Sequence, residues 1–350
     1  MFGKKRKRLL GLDIGSSGIK FLDLKETGKG YEVDGLGMIS LPPETIVDGS
    51  VMDTTTVVEG IRELVSNYRI KKRDVAIGVS GHSVIVKKIS LPRMTESELE
   101  ENIYVEAERY IPFDINDVNL DFHILSSQDT GMGGHMEVVL VAAKKDFIDD
   151  YVAIVREAGL NPLIVDIDAF ALQNMYELNY PVERSDMVAL CDIGASIMNI
   201  NIVQGGKSLF TRDISIGGNL FTEEIQKELS VNLQEAEHLK VSGVSDKEKM
   251  ARLERVYSRI SASIVMEVAK SLDFFTATSS GDKIARLYLS GGCAKVPRFK
   301  EIVEERVNLP VTMINPFANI TVNPRVFEPQ YIEEIAPQMA VSVGLATRKG

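Results

Sequence analysis

Two near-copies of one short motif, Leu12-Asp13-Ile14-Gly15-Ser16-Ser17 and Cys191-Asp192-Ile193-Gly194-Ala195-Ser196, stand in the two halves of this chain. In each, an apolar run delivers a carboxylate and then a turn, where glycine lets the backbone approach a phosphate and small residues follow. Backbone N–H groups in such a turn bind phosphate oxygens. The carboxylate at the strand end can hold the waters of a Mg²⁺ ion that neutralises them. A single copy is equally an ordinary strand-turn hairpin, whereas the pair points to two related halves facing one ligand. A third segment narrows the choice. Ile284-Ala285-Arg286-Leu287-Tyr288-Leu289 reads as a buried strand running into Ser290-Gly291-Gly292-Cys293-Ala294 and Pro297, where paired glycines let a flat ring lie against backbone.

At 350 residues the chain exceeds the size at which one core keeps growing, so two lobes of roughly 150 residues are expected. A net charge of −10 and a pI near 5.1 exclude a general nucleic-acid binder, whose domain is normally basic. Lys4-Lys5-Arg6-Lys7-Arg8 is a local exception, readable as a solvated terminus or as a cluster beside an anionic membrane leaflet. The start lacks the apolar stretch of a signal peptide, and no apolar run is long enough to span a membrane. Cys191 and Cys293 have no metal-ligand spacing and suit a reducing cytosol as small buried residues. His82, His123, His135 and His238 are scattered and suggest neither a metal site nor a catalytic triad.

The patterning predicts a three-strand meander over residues 9–40, a helix over 54–68 and a strand over 74–80. The second half repeats this plan over 187–215, with a Gly205-Gly206 turn. Between the halves, residues 82–165 read as strand, helix, strand, strand, helix, strand. Thr95-Glu96-Ser97-Glu98 is a capping box that opens the first of those helices, through Tyr110. Gly131 to Gly134 make a turn, and a helix from Asp146 ends at Gly159. A long helix over 247–278 carries Ile260, Ile264, Val268 and Leu272 on one stripe, which suits core or a subunit contact. A final helix spans 338–347.

The loop order of phosphate, phosphate and adenosine, with a helix-rich insertion between the last two, resembles the actin, sugar kinase and DnaK-type ATPase superfamily. Over essentially its full length the chain looks most like the PilM family of type IV pilus assembly proteins, relatives of the division protein FtsA. The resemblance implies an α/β fold, two-lobed and actin/DnaK-ATPase-like (ribonuclease H-like), with an FtsA-type inserted small subdomain. The expected divisions are a first-lobe core over 1–81, the inserted subdomain over 82–165, and a second-lobe core over 166–219. A helical nucleotide-capping part follows over 220–283, and residues 284–350 complete the second lobe with the adenosine loop and final helix.

By similarity, the cofactors are ATP and Mg²⁺. Asp13 and Asp192 would hold Mg²⁺ through water, while Gly15, Ser16, Ser17, Gly194, Ala195 and Ser196 would contact phosphates. Ala195 departs from the commoner glycine. Lys20 stands where actin places a phosphate lysine, although a strand lysine facing solvent fits the same alternation. Gly217 and Gly218 lead into a helix. Glu237 and Lys240 share a helix face and match a Glu-x-x-Lys pair that embraces ribose and adenine, or else form a surface ion pair. Gly291, Gly292 and Cys293 would complete the adenosine pocket. Asp166 falls nearest the acidic catalytic position of the superfamily, with Asp166 or Asp168 as a helix cap the alternative. Tight ATP binding with slow turnover or none is the expectation.

The function implied is a cytoplasmic, actin-like ATP-binding scaffold of the type IV pilus assembly platform, serving twitching motility. It would dock the cytosolic N-terminal peptide of PilN in the groove between the first lobe and the inserted module. It would meet other platform proteins, reach the inner membrane only peripherally through partners, and have no nucleic-acid partner; self-association is left open. An FtsA-like division scaffold is the alternative within the class, although FtsA carries a C-terminal amphipathic helix that the ending Gly344-Leu345-Ala346-Thr347-Arg348-Lys349-Gly350 does not resemble. A sugar kinase or autonomous ATPase is the alternative outside it.

Overall fold

The computed structural model describes residues 7–28, 30–127, 134–181, 186–279 and 283–350. The turn expected at Gly131 to Gly134 and the start of the basic terminal run therefore fall mostly outside the described residues.

The first half opens with β1 (Leu10–Gly15), β2 (Gly18–Thr27) and β3 (Gly30–Ser40), an antiparallel meander in which Asp13 lies opposite Lys20 and Gly15 opposite Gly18. The first phosphate motif is thus a two-residue hairpin turn, Ser16-Ser17. A small hairpin of β4 (Ile46–Val47) and β5 (Ser50–Val51) precedes α1 (Thr54–Asn67), whose first turn is capped by the Asp53 side chain. Such a cap is worth about 1 kcal/mol. Strand β6 (Asp74–Val79) then lies parallel to β1.

An inserted unit follows: β7 (Val84–Pro92), α2 (Glu96–Ala107), β8 (Val118–Ser127) and β9 (His135–Lys144), in a sheet of order β7-β9-β8. Thr95 and Glu98 form the reciprocal capping box. Leu99, Ile103 and Ala107 pack on Val138, Leu140 and Ala142 as this unit's own core. The unit is shorter than the sequence suggests. Helix α3 (Lys145–Glu157) and β10 (Asn161–Ile167) do not complete it. Strand β10 joins the main sheet parallel to β6, and Phe147, Tyr151, Ile154 and Val155 of α3 enter the first-lobe core with Leu10 and Ile77.

Helix α4 (Asp168–Asn179) leads to the second meander, β11 (Met187–Ile193), β12 (Met198–Gln204) and β13 (Lys207–Ile214). Three helices follow, α5 (Asn219–Leu229), α6 (Leu233–Ser242) and α7 (Lys247–Thr278). Strand β14 (Arg286–Ser290) runs parallel to β11, and α8 (Phe299–Val307) and β15 (Val311–Met313) complete a sheet of order β13-β12-β11-β14-β15. The stripe Ile260, Ile264, Val268 and Leu272 is core, packed on Phe221 and Leu287.

The chain then returns to the first lobe. Strand β16 (Ile320–Thr321) pairs with β3, giving the order β10-β6-β1-β2-β3-β16. After α9 (Pro329–Ile335), helix α10 (Ala340–Ala346) packs against β1 and α4. Backbones touch at two glycines. A Cβ at Gly11 would lie 2.1 Å from the Ser342 carbonyl oxygen, and one at Gly344 1.7 Å from that of Ala171. The final helix, expected with the second lobe, is therefore clamped between the first sheet and α4.

Candidate functional site: the cleft between two sheets

The turn between β1 and β2 faces the turn between β11 and β12 across a cavity of about 180 Å³. Asp13, Gly15, Ser16, Ser17 and Lys20 line it from the first lobe, and Asp192, Gly194 and Ala195 from the second. Gly218, Glu237 and Lys240 close one end, with Gly291, Gly292 and Cys293 beside them. Two expected residues stand just behind this lining. Ser196 accepts a hydrogen bond from the Asn219 amide at 3.1 Å. Gly217 is pressed on the second turn, where an added Cβ would lie 2.5 Å from the Gly194 carbonyl oxygen.

Lys20 faces the cleft, since Ile19 and Phe21 on either side of it are buried on the opposite face of β2. Its side chain is 14% exposed and donates to Asp13 Oδ2 at 3.0 Å. Burial draws the ammonium pKa down, but Asp13, Asp192 and Asp168 together hold it above the ordinary value, so Lys20 is a fixed cation. The solvent-facing alternative does not apply. Asp192 lacks such a partner. Ser290 Oγ donates to it at 2.6 Å, yet burial, with the Asp13 charge behind it, pushes its carboxyl up to about 6.

Asp166 does not reach the cleft. Its Oδ2 accepts from Arg348 Nε at 2.6 Å and its Oδ1 from the Ile167 N–H at 2.9 Å, in a separate pit beside Phe170, Gln173 and Asn174. The acid of this segment that lines the cleft is Asp168, where β10 has ended and α4 begins. Gly78 on β6 makes room for it: a Cβ there would lie 2.1 Å from Asp168 Oδ1. Burial first, then the Asp13 charge, raises the Asp168 carboxyl well above the usual range, opposed by a hydrogen bond from Ser80.

At the other end, Lys240 Nζ donates to Glu237 Oε1 at 2.7 Å and to Thr222 Oγ1 at 3.0 Å, and Thr222 donates to Glu237. Lys240 is only 7% exposed, which is unlike a surface ion pair. Thr222, from α5, carries no signal in sequence. Gly291 adopts φ +89°, where a Cβ would lie 2.2 Å from the Ile193 carbonyl oxygen. Burial pushes the Cys293 thiol up to about 12 and raises that of Cys191 too, so both are neutral, compact fillers.

A further contact ties the lobes. Asp213 on β13 accepts the Gly81 N–H at 2.7 Å from the first lobe and the Asn199 amide at 2.8 Å from its own. Burial raises its carboxyl pKa, and these two donors oppose that. The cleft joins two lysines, four carboxyls, two turns rich in backbone N–H and a glycine-flattened wall. That set suits an anionic ligand with a planar group. Among the described residues no group of three or more His, Cys, Asp or Glu is placed to hold a metal ion.

Comparison with known proteins gives a consistent picture. The family model described as type IV pilus assembly protein PilM matches residues 11–350. A chain from a PilM-PilN type IV pilus biogenesis complex is similar with TM-score 0.88 and 29% identity, over 98% of this chain and 99% of that one. The ethanolamine utilization protein EutJ from Carboxydothermus hydrogenoformans shares the fold at TM-score 0.57 and 14% identity, over 98% of this chain and 90% of that one. Cell division protein FtsA of Bacillus subtilis is 26% identical over 254 residues, 66% of this chain and 57% of FtsA. FtsA of Neisseria meningitidis serogroup B is 23% identical over 253 residues, 66% of this chain and 60% of that protein. The match thus spans less than two thirds of these division proteins. Among the described residues no helix is long and apolar enough to cross a membrane.

Proposed function

This chain belongs to the type IV pilus assembly protein PilM family, and on that premise we propose that it is an ATP-binding, actin-like scaffold of the pilus assembly platform. It grips the cytosolic N-terminal peptide of a PilN-type partner at the inner membrane. The observation that carries the nucleotide part is the convergence of Lys20, Asp13 and Asp192 between two facing turns. Lys20 and the N–H groups of the two turns hold phosphate oxygens. Asp13 and Asp192 orient the waters of Mg²⁺, and Glu237, Lys240 and Gly291 to Cys293 flank the nucleoside. Mg²⁺, when bound, neutralises phosphate charge.

Asp168, the acid of the crossover that lines the cleft, is the group that would orient an attacking water. The cavity of about 180 Å³ is below the ~300–1000 Å³ usual for ligand pockets, so nucleotide entry parts the lobes. The Asp213 to Gly81 contact opposes that parting. Nucleotide state then biases closure, and a partner preferring one closure senses it. The inserted unit, with Tyr104 and Val105 on the outer face of α2 51% and 61% exposed, flanks the proposed peptide groove.

Calorimetry with ATP·Mg²⁺, with and without a peptide carrying the PilN amino terminus, tests this. Micromolar nucleotide binding and a peptide affinity that shifts with ATP are expected. No nucleotide binding would reduce the protein to a docking platform, and phosphorylation of a hexose panel would favour a kinase.

A further inference from the structure

The fold gathers basic residues from three distant segments onto one face of a chain whose net charge is −10. One open pit is lined by Lys7 and Arg8, by Lys72 and Arg73 from the loop between α1 and β6, and by Lys349. A neighbouring pit, sharing Arg73, is lined by Arg62 and Arg69 with no carboxylate. Together the two linings hold seven cations against Glu26 and Asp74 alone. The segments are fastened there. Lys7 and Gly350 exchange backbone hydrogen bonds at 3.1 and 2.9 Å, which sets both ends of the described chain beside the loop Arg69 to Arg73.

Some of this charge is used internally. Lys7 pairs with Asp74 at 3.6 Å, Lys72 with Asp23 at 2.5 Å, and Arg8 with Glu26. Arg69, Lys71, Arg73 and Lys349 are exposed, and among the described residues none has an ion-pair partner. Beside them, Leu163 on the edge strand β10 is 46% exposed, and a Cβ at Gly350 would lie 3.0 Å from its Cδ1. Cations on flexible stems spread over two open pits, with an exposed leucine beside Gly350, suit a diffuse anionic surface. The sequence adds Lys4-Lys5-Arg6 immediately before Lys7.

We propose that this face, built on Arg69, Lys71, Arg73 and Lys349 with Leu163 at its rim, binds the anionic phospholipid surface directly. It orients the protein at the membrane to which the proposed scaffold function brings it. The inference rests on that reading for its setting, but its test does not use nucleotide or peptide.

The full chain is sedimented with vesicles of phosphatidylglycerol and phosphatidylcholine, and with vesicles of phosphatidylcholine alone, at low and high salt. Binding confined to the anionic vesicles and weakened at least tenfold by salt is expected. The variant R69E/K71E/R73E should lose on the order of a hundredfold in affinity, since each cation near an anionic leaflet is worth about fivefold. Its unfolding midpoint should stay unchanged, which shows that the fold is retained. Neutralising Lys4, Lys5 and Arg6 should cost less than the triple reversal. Equal binding to neutral vesicles, an unaffected triple variant, or loss confined to the Lys4 to Arg6 variant would overturn the proposal. So would a soluble acidic polypeptide that displaces the vesicles at equal charge, which would make the occupant an acidic protein. Absent ATP or peptide binding would count against the scaffold reading alone.

Discussion

In the first lobe, Asp13 has a cation for a neighbour; in the second, Asp192 has a hydroxyl. Both carboxylates end a central strand and face the same cavity, so strand and turn repeat while the electrostatics do not. The difference comes from which strand lies alongside. Strand β2 turns back antiparallel and sets Lys20 opposite Asp13. Asp192 has Asn199 opposite on β12, and its hydrogen-bond donor is Ser290 on the parallel neighbour β14. The turns differ too: Ser16-Ser17 closes tightly, whereas residues 194–197 form a longer loop buttressed by Gly218 and Asn219, whose N–H groups donate to Gly194 and Ala195 at 2.9 Å. A duplicated scaffold thus fixes where a carboxyl sits and leaves its charge to be set by whatever strand packs beside it.

Asp13→Ala should break this contrast most severely. It leaves Lys20 buried without its nearest counter-charge, so unfolding free energy should drop by about 3 kcal/mol in urea denaturation, and ATP affinity by at least ~100-fold. An equal stability loss in Asp192→Ala would erase the distinction between the lobes.

Next in size is the response to pH. The Asp192 carboxyl sits at about 6, against an ordinary 3.8, so between those values the folded chain holds a proton the unfolded chain has released. Its contribution to stability is present below about pH 4 and is lost as pH rises through about 6. Affinity for ATP·Mg²⁺ runs the other way, falling about tenfold from roughly pH 7.5 to 5 as the carboxylate is neutralised. Asp192→Asn should flatten both profiles, and a wild-type affinity indifferent to pH would refute the assignment.

Ser290→Ala removes a hydrogen bond of 2.6 Å to Asp192 and should move the midpoint of that profile upward, with about a fivefold loss of affinity near neutral pH. Smallest is Ala195→Gly, which removes one methyl group from the second turn. The Ala195 carbonyl still accepts from Asn219, so affinity measured by calorimetry should change less than about twofold.

Much of this arrangement is legible in sequence because it depends on neighbours along the chain. The capping box at Thr95 and the burial alternation on either side of Lys20 are legible for that reason, as are the turns at Gly15, Gly194 and Gly291 that meet at one cavity. Asp166 and Asp168 do not, because which of them meets the cleft depends on where β10 ends and on Gly78 of another strand leaving space. The amphipathic face of α3 likewise shows that Phe147 and Tyr151 are buried without showing against which sheet, so the end of the inserted unit is not legible there. Helix α10 is almost wholly buried, so its pattern has no polar face to indicate its lobe. Thr222 becomes visible only when α5 and α6 are brought together.

The donor that ties the second lobe to Gly81 belongs to the main chain, so no replacement at that position short of proline deletes it. With φ at +99°, Gly81 also resists replacement by any side chain. Heritable variation therefore reaches this tie from one end, at Asp213. This polar tie, set beside the apolar core that Leu22, Leu190 and Val343 share between the lobes, is lost in one step and regained by reversal at the same codon.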